Sequence, residues 1–447
     1  MRIEIINTGS ELLLGRVLNT HQQWLCRQLS DMGWSVDRQV AVPDTATAIE
    51  QAVAESLLRA ELVLVTGGLG PTSDDLTRDR IASLLGLKLH HDESIAGRIA
   101  AYFAARNRPQ PPSTDVQAFV PEGAIVLQND FGTAPGLALE VSPEQKKKIQ
   151  DKIPINIPSN LRAPEDACAV NSSNMNLTTR SWLVMLPGPP RELRPMFLNH
   201  VLPLLRRVLP PPEDFACRIL RLTGVGESKL EELLAPHLIQ LVKNGLELGY
   251  CSRPGEVDLR FIARGSQSVL LVNKAAEIAR SLFEKHIYGE GEDELEAVIV
   301  KRMTALGLKL AVAESCTGGW LANRITNVPG ASAVFWGGFL TYDNQAKIKL
   351  LKVPEPILAA HGAVSEPVAK AMCEGARLIS GADYALAVTG IAGPSGGTPT
   401  KPVGTVFIGL ASPKGVDVKR FLNPFDRETF KSVTSQQALD MLRQALG

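Results

Sequence analysis

In the stretch Leu310-Ala-Val-Ala-Glu-Ser-Cys-Thr-Gly-Gly319, five residues suited to a buried strand lead straight into Ser315, Cys316 and Thr317. Helical character follows over residues 318–327. A hydroxyl or thiol at such a strand-to-helix elbow lies beside the free N–H groups that begin a helix. Those groups can hold a developing oxyanion, as acyl transfer requires. The same residues also make an ordinary helix cap, because Ser315 or Thr317 can accept from first-turn amides. A serine nucleophile needs a base, and two further strand ends offer partners. One strand, over residues 335–342, ends at Tyr342-Asp-Asn-Gln-Ala-Lys347, which puts Lys347 in the first turn of the next helix. Another, over residues 384–388, ends at Thr389-Gly-Ile-Ala-Gly-Pro-Ser-Gly-Gly397, whose bare backbone suits a phosphate. Asp426-Arg427 stands at a further helix start. Apart from His361, no histidine lies in these loops, so Ser315 with Lys347 is the expected pair. That chemistry needs a neutral lysine, its pKa lowered by burial, a helix N-terminus or a cation such as Arg427. Cys316 is the rival nucleophile, because thiols are intrinsically more reactive and a helix start lowers their pKa.

A second cluster occupies the first half. The loop Thr66-Gly-Gly-Leu-Gly-Pro-Thr-Ser-Asp-Asp-Leu-Thr77 combines glycines that permit close approach to a phosphate, hydroxyls at Thr72 and Ser73, and adjacent carboxylates at Asp74 and Asp75. Paired carboxylates suit a hard divalent cation. Acids after a glycine loop also begin many helices, so a plain helix start remains open. A companion loop, Thr8-Gly-Ser-Glu-Leu-Leu-Leu-Gly15, follows the first strand. His90-His91 precedes Asp92, but neighbouring strand side chains face opposite ways. A helix cap at Asp92 or Ser94 is expected there rather than a metal site.

The elements that must carry these loops alternate. Strand 3–7, helix 20–32, strand 35–42, helix 45–59 and strand 62–66 imply a parallel sheet covered on both faces, with ligands at the carboxyl ends of its strands. Residues 140–180 lose periodicity; Lys146-Lys-Lys148, several prolines and Asn171-Ser-Ser-Asn-Met-Asn176 read as a flexible polar insertion between strands 136–141 and 182–186. The turn Leu186-Pro-Gly-Pro-Pro-Arg-Glu-Leu193 leads into a helix carrying Met196, Phe197 and Leu198. After Pro210-Pro-Pro212 comes a compact α+β module of KH-like pattern: strand 218–222, helix 229–238, two strands within 246–264 and helix 269–287. Its Gly224-Val-Gly-Glu-Ser228 loop lacks the basic character of an RNA clamp. Tyr288-Gly-Glu-Gly-Glu292 reads as a linker, and a helix over residues 293–305 opens the last domain. The expected domains are 1–207, 208–289 and 290–447.

Composition bounds the function. With 447 residues, 45% hydrophobic and 21% charged, the chain is multidomain globular material. Lys plus Arg equal Asp plus Glu at 47 each, so no global field recruits nucleic acid or an anionic membrane. Six cysteines (Cys26, Cys168, Cys217, Cys251, Cys316 and Cys373) without a Cys-x-x-Cys point to a reduced cytoplasm rather than zinc or disulfides. The N-terminus lacks a signal-peptide core, and no apolar run reaches the roughly 20 residues that span a bilayer.

Five ordered blocks, Ala313-Glu-Ser-Cys-Thr-Gly-Gly319, Thr341-Tyr-Asp-Asn-Gln-Ala-Lys347, His361-Gly-Ala-Val-Ser-Glu366, Thr389-Gly-Ile-Ala-Gly-Pro394 and Lys401-Pro-Val-Gly-Thr405, resemble the CinA C-terminal domain, a nicotinamide mononucleotide deamidase family. The first half, through Thr66 to Asp75 and Pro187-Gly-Pro-Pro-Arg-Glu192, resembles the CinA N-terminal domain, which is related to molybdopterin-binding MoaB and MogA proteins. The resemblance implies an α/β multidomain fold: a three-layer α/β molybdopterin-binding-like domain, a small α+β middle domain and an α/β deamidase domain. It implies hydrolysis of the carboxamide of nicotinamide mononucleotide to nicotinate mononucleotide and ammonia, without a cofactor. Ser315 would be the nucleophile, Lys347 its base, Tyr342 a site partner and Arg427 a substrate-side or lysine-tuning cation. Thr317, Gly318, Gly319, Thr389, Gly390 and Gly393 would contact substrate. The N-terminal domain would be a metal-dependent ADP-ribose pyrophosphatase yielding AMP and ribose 5-phosphate. There Asp74 and Asp75 would hold Mg, Mn or Co, and Gly67, Gly68, Gly70 and Thr72 would approach the pyrophosphate. The alternative is a non-catalytic nucleotide- or pterin-binding module. A cytoplasmic homodimer is expected. The chain departs from the family pattern at His21 and at Asp130-Phe131, and in carrying the insertion.

Overall fold

The computed structural model describes residues 1–152, 177–209 and 214–447. The Asn171–Asn176 tract, Cys168 and Pro210–Pro212 lie outside the described residues. Contacts divide the chain into two units, residues 1–212 and 213–447.

The first unit is built on β1 (Ile3–Thr8), β2 (Arg38–Val42) and β3 (Leu62–Thr66). Next come β4 (Leu89–His91) and β5 (Phe119–Pro121), which pair as a separate ribbon, then β6 (Ile125–Leu127), β7 (Gly136–Val141) and β8 (Ser181–Leu186). The main sheet runs β2-β1-β3-β8-β7-β6, parallel through β8 and antiparallel beyond it. Every residue of β1 and β3 is buried, because helices cover both faces. Ile6, Val63 and Val65 belong to one core cluster, and Ile3, Ile5, Leu62 and Leu64 to another; the alternation along each strand sends neighbours to opposite layers. Asp92 caps the helix Glu93–Ala104 as expected, accepting from the amides of Ser94 and Ile95.

The polar insertion is not wholly a loop. Residues Pro143–Lys152 form a helix whose Lys146 and Ile149, three apart, are fully buried. Burial pushes the Lys146 pKa down to about 8 against the raising influence of Glu61. The lysine run reads as surface because polarity, not spacing, dominates it.

The second unit opens with the expected α+β module: β9 (Phe215–Thr223), β10 (Glu247–Arg253), β11 (Glu256–Arg264) and β12 (Ile287–Glu290) in the order β10-β11-β9-β12. The segment read as a linker therefore supplies an edge strand, antiparallel to β9 with an irregularity between Ile287 and Gly289. The helix Leu295–Leu306 follows. The last sheet comprises β13 (Leu310–Glu314), β14 (Phe335–Leu340), β15 (Tyr384–Gly390), β16 (Thr405–Ser412) and β17 (Gly415–Leu422). Its order is β14-β13-β15-β16-β17, with β13 parallel to both neighbours. Glu314 sits in register with Leu340 and Val388, so the three parallel strands end level and their exits converge. No helix among the described residues is long and apolar enough to cross a membrane.

Candidate active sites

At the level strand ends of the second unit, Ser315 leaves β13 with its N–H donating to Val388 O (3.1 Å). Among the described residues its Oγ has no hydrogen-bond partner, and the residue is buried, 8% exposed. The buried Thr317 Oγ1 is likewise unpartnered. The elbow differs from expectation in one respect that alters its chemistry. The helix begins only at Trp320, after two glycines in the left-handed region (Gly318 φ 62°, Gly319 φ 95°) that only glycine adopts readily. Its first amides are occupied: the buried Glu314 carboxylate accepts from Gly319 (3.0 Å), Leu321 (3.1 Å) and Ala322 (2.8 Å). The amides of Gly318 and Trp320 close turns onto Ser315 O and Thr317 O. The N–H groups left without a partner among the described residues are those of Cys316 and Thr317, so the oxyanion donors sit in the turn, not at the helix start.

Lys347 lies on the helix Asn344–Leu351, whose cap Asp343 accepts from the Gln345 amide. The lysine is 1% exposed. Its Nζ donates to Thr341 O (2.9 Å) and Tyr342 O (3.1 Å), the two residues that follow β14. Burial lowers its pKa, opposed by the negative charges available at Asp343 and Cys316. Burial likewise pushes the Cys316 thiol up to about 12, with Glu314 adding to the rise and Lys347 and Arg427 opposing it. The thiol thus feels the charges of both the amine and the guanidinium. Arg427, first residue of the helix Arg427–Ala445, donates to Gly393 O (2.8 Å) and to the Tyr342 hydroxyl (2.9 Å); Tyr342 is 62% exposed and forms an outer wall.

Thr389 is buried and donates to Ala363 O (2.8 Å), so its proton is committed to fixing the strand end. A Cβ on Gly390 would meet Thr405 O at 2.9 Å, and one on Gly393, at φ 76°, would meet Val403 Cγ1 at 2.6 Å. Both glycines are thus required by the loop's own packing. Beyond Ile391, whose amide donates to Thr405 O, the N–H groups of Ala392, Gly393, Ser395, Gly396 and Gly397 have no partner among the described residues and suit an anion. Two contributors escape the sequence reading. Glu314 looks like a strand residue, although an acid in an otherwise apolar strand just before an elbow is a signal. Lys431, one turn after Arg427 on the same helix face, has its Nζ 5.2 Å from the Trp320 ring centroid and close to Gly318.

In the first unit the loops after β1, β3 and β8 border a cavity of about 370 Å³ that includes Gly67, Gly68, Gly70, Asp74 and Asp75. The Thr72 hydroxyl lies 2.5 Å from a carboxylate oxygen of each aspartate, and its amide donates to Asp75 (2.9 Å). The hydrogen bond from Thr72 holds the Asp74 pKa below its usual value. Gly67 (φ 96°) would carry a Cβ 2.7 Å from Thr8 O, and Gly68 and Gly70 have no room for one against Thr77 and Asp75. Among the described residues no three His, Cys, Asp or Glu side chains form a ready metal cage. Two converging carboxylates still fit a hard cation that completes its shell with phosphate oxygens and water. Glu11, Asp44 and Glu192 also line this cavity and were not singled out beforehand. Of the positions that depart from the family pattern, His21 contacts Gly188 O through Nε2, Asp130 accepts from Gln128 (2.6 Å) and the Phe131 amide donates to Asn129 (3.0 Å), while Asn129 itself donates to Glu192 (2.8 Å) and Ala134 O (2.8 Å).

Three family models match the chain in order: "Probable molybdopterin binding domain" over residues 4–207, "Damage-inducible protein CinA KH domain" over 217–289 and "CinA C-terminal domain" over 292–446. A CinA-like protein of Akkermansia muciniphila is 43% identical across all of this chain and 97% of its own length. A protein of Caldicellulosiruptor bescii named "Putative competence-damage inducible protein" is 40% identical, covering 100% of this chain and 99% of its own. Among solved structures, the competence/damage inducible protein CihA from Agrobacterium tumefaciens is 42% identical over 34% of this chain and 93% of its own, with a TM-score of 0.33.

Proposed function

The chain belongs to the CinA family, and from that premise we propose that its C-terminal domain hydrolyses the carboxamide of nicotinamide mononucleotide, giving nicotinate mononucleotide and ammonia. The observation that carries this reading is a buried lysine of lowered pKa, held to the two residues that follow β14, where β14 ends level with the strand that delivers an unpartnered serine hydroxyl. Ser315 Oγ attacks the carboxamide carbon while its proton passes to neutral Lys347. The amides of Cys316 and Thr317 hold the oxyanion. The amine returns the proton to the departing nitrogen, the C–N bond breaks and ammonia leaves. Water then cleaves the nicotinoyl ester and restores the serine. The free amides of residues 392–397 suit the 5′-phosphate, and Arg427 closes the site through Tyr342 and Gly393. A thiol raised to about 12 stays protonated near neutrality, which favours oxygen over Cys316 as the attacking atom. Ammonia release is expected to collapse in Ser315→Ala and persist in Cys316→Ala; the reverse pattern would hand the role to sulfur.

A second activity is proposed for the first unit: hydrolysis of ADP-ribose to AMP and ribose 5-phosphate. The convergence of Asp74 and Asp75 around Thr72 within a glycine-lined cavity supports it. A divalent cation, Mg, Mn or Co, would be held by these carboxylates and would polarise the pyrophosphate. Asp75→Ala or chelation is expected to abolish AMP release and leave ammonia release untouched. Calorimetric binding of ADP-ribose without turnover under any of the three metals would replace this reading with a nucleotide- or pterin-binding module. We also propose that the protein acts as a cytoplasmic homodimer, which sedimentation of the full chain tests.

A further inference from the structure

The cavity of about 370 Å³ in the first unit is lined by one polar side chain that the proposed hydrolysis does not use. Gln117 lies in the tight helical segment Pro112–Ala118 and is 2% exposed. Its Nε2 donates to Leu69 O (3.3 Å), inside the glycine loop. A carbonyl oxygen only accepts, so this contact settles which end of the amide is nitrogen. The other end, Oε1, is buried and has no hydrogen-bond partner among the described residues. Burying an acceptor without a donor costs free energy, and folded proteins rarely do it. The segment is also held in place, which keeps the amide from turning elsewhere. The buried Arg78 donates to Val116 O, and the Thr114 hydroxyl donates to Pro111 O (2.7 Å).

The rest of the lining narrows the donor that Oε1 is suited to meet. Five of the lining residues are acids and none is Lys, Arg or His. Asp44 accepts from the Ser10 amide (2.8 Å) and Glu192 from Asn129 (2.8 Å), and each carboxylate keeps further accepting capacity. A carbonyl oxygen repels phosphate oxygens, so the phosphates belong to the glycine loop and to a cation held by Asp74 and Asp75. An adenine ring pairs with a glutamine through both oxygen and nitrogen, and here the nitrogen is committed to Leu69. A sugar hydroxyl needs only an acceptor, and side-chain oxygens are ordinary partners of ribose hydroxyls.

We propose that Gln117 determines specificity in this cavity, its Oε1 accepting from a hydroxyl of the ligand's ribose. The inference rests on the reading of the cavity as a nucleotide site and adds which part of the nucleotide is recognised. ADP-ribose carries two riboses, one in each product of the proposed hydrolysis, and either can supply the donor.

Calorimetry of the full chain with Mg²⁺ tests this through two ligand pairs that differ in their hydroxyls: AMP against 2′,3′-dideoxy-AMP, and ribose 5-phosphate against methyl phosphate. In at least one pair the hydroxyl-bearing ligand should bind the parent roughly tenfold more tightly, and the discriminating pair identifies the ribose. Gln117→Leu should reduce that ratio to below about threefold, while the hydroxyl-free ligands and Mg²⁺ alone keep their affinities within about twofold. An equal loss for both members of a pair would make Gln117 a strut for the glycine loop, and weaker Mg²⁺ binding would make its oxygen a metal ligand. Either result overturns the proposal, as does a parent that discriminates in neither pair or a ratio that survives in the variant. If Gln117→Leu melts lower than the parent, hydrogen–deuterium exchange of the parent decides. The hydroxyl-bearing ligand should slow exchange in residues 112–118 more than its partner does, and equal protection overturns the contact. AMP release from ADP-ribose is scored separately. Discrimination without release strikes the hydrolysis alone, and release without discrimination strikes the role of Gln117 alone.

Discussion

Lys347 carries the heaviest chemical demand, because a serine of ordinary acidity is inert without a base close to its own environment. A neutral amine has two hydrogens and one lone pair. Thr341 O and Tyr342 O take the hydrogens, which leaves the lone pair as the one uncommitted direction. Burial lowers the lysine pKa, so the uncharged form gains population as pH rises and is lost as pH falls through the lowered value. Deamidation is therefore expected to show an acid limb below the ordinary lysine value of 10.5. Lys347→Met should lower kcat/KM by about 10²–10⁴ and abolish that limb, as general-base removal does. A pH profile of kcat/KM for both proteins checks this; a limb surviving in the methionine variant would assign the base elsewhere. Cys316, two residues beyond Glu314, illustrates the opposite use of burial, since the surroundings that favour the uncharged amine favour the protonated thiol.

At the scale of elements, Glu314 separates a helix start from an oxyanion site. Its carboxylate terminates β13 and accepts three amides of the following helix, so the turn Ser315–Gly319 is clamped from both sides. A hydrogen bond to a charged acceptor contributes a net of about 1.5–3 kcal/mol, and several on one carboxylate do not add in full. Glu314→Ala is expected to destabilise the second unit by roughly 3 kcal/mol and to lower kcat more than KM, because the turn amides lose their fixed position. Urea unfolding together with steady-state rates measures both; a stability loss with an unchanged kcat would make the clamp purely structural. The strand Leu310–Glu314 is legible because five apolar-rich residues sit between turn signals, and the level strand ends follow from its parallel pairing. The elbow's interior is not legible. Two left-handed glycines displace the helix by two residues, and an acid at a strand end carries no mark of what it will accept. Polarity misleads in the same way at residues 288–290, where Tyr-Gly-Glu reads as a linker but Tyr288 is buried and Gly289 and Glu290 pair with β9 at the edge of the module. At residues 143–152 a lysine-rich run hides a helix whose buried face shows only through the spacing of Lys146 and Ile149.

At the scale of the whole second unit, the KH-like module and the last domain share a polar network centred on a buried arginine. Arg221, fully buried on β9, pairs with Glu294 (2.8 Å) at the start of the helix Leu295–Leu306, lies 3.5 Å from Asp258 and donates to Asp293 O (3.2 Å). Arg253, Glu256 and Tyr288 extend the network, and burial with the neighbouring Glu256 holds the tyrosine hydroxyl protonated well above its usual range. Arg443 reaches back from the last helix to the carbonyls of Lys285 and Ile287. Arg324, on the helix after the catalytic turn, ties Glu296 (2.6 Å) to Ser435 (3.0 Å) and Gln436 (2.7 Å). Removing one partner of a fully buried set costs roughly 3–5 kcal/mol; because the Glu294 carboxylate is 47% exposed, water recovers part of the loss here, and replacing the set with neutral groups of similar shape costs less still. Arg221→Ala is therefore expected to lower the urea midpoint of the second unit and to open residues 289–294 to limited proteolysis. Arg221→Met combined with Glu294→Gln should recover most of the midpoint. Because Ser315 and Lys347 are fixed by strand ends remote in sequence from this seam, kcat for ammonia release in buffer should stay within about twofold in both variants. A parallel fall in kcat in the double variant, with stability restored, would show instead that the charges themselves, and not the cohesion they provide, are felt at the catalytic turn.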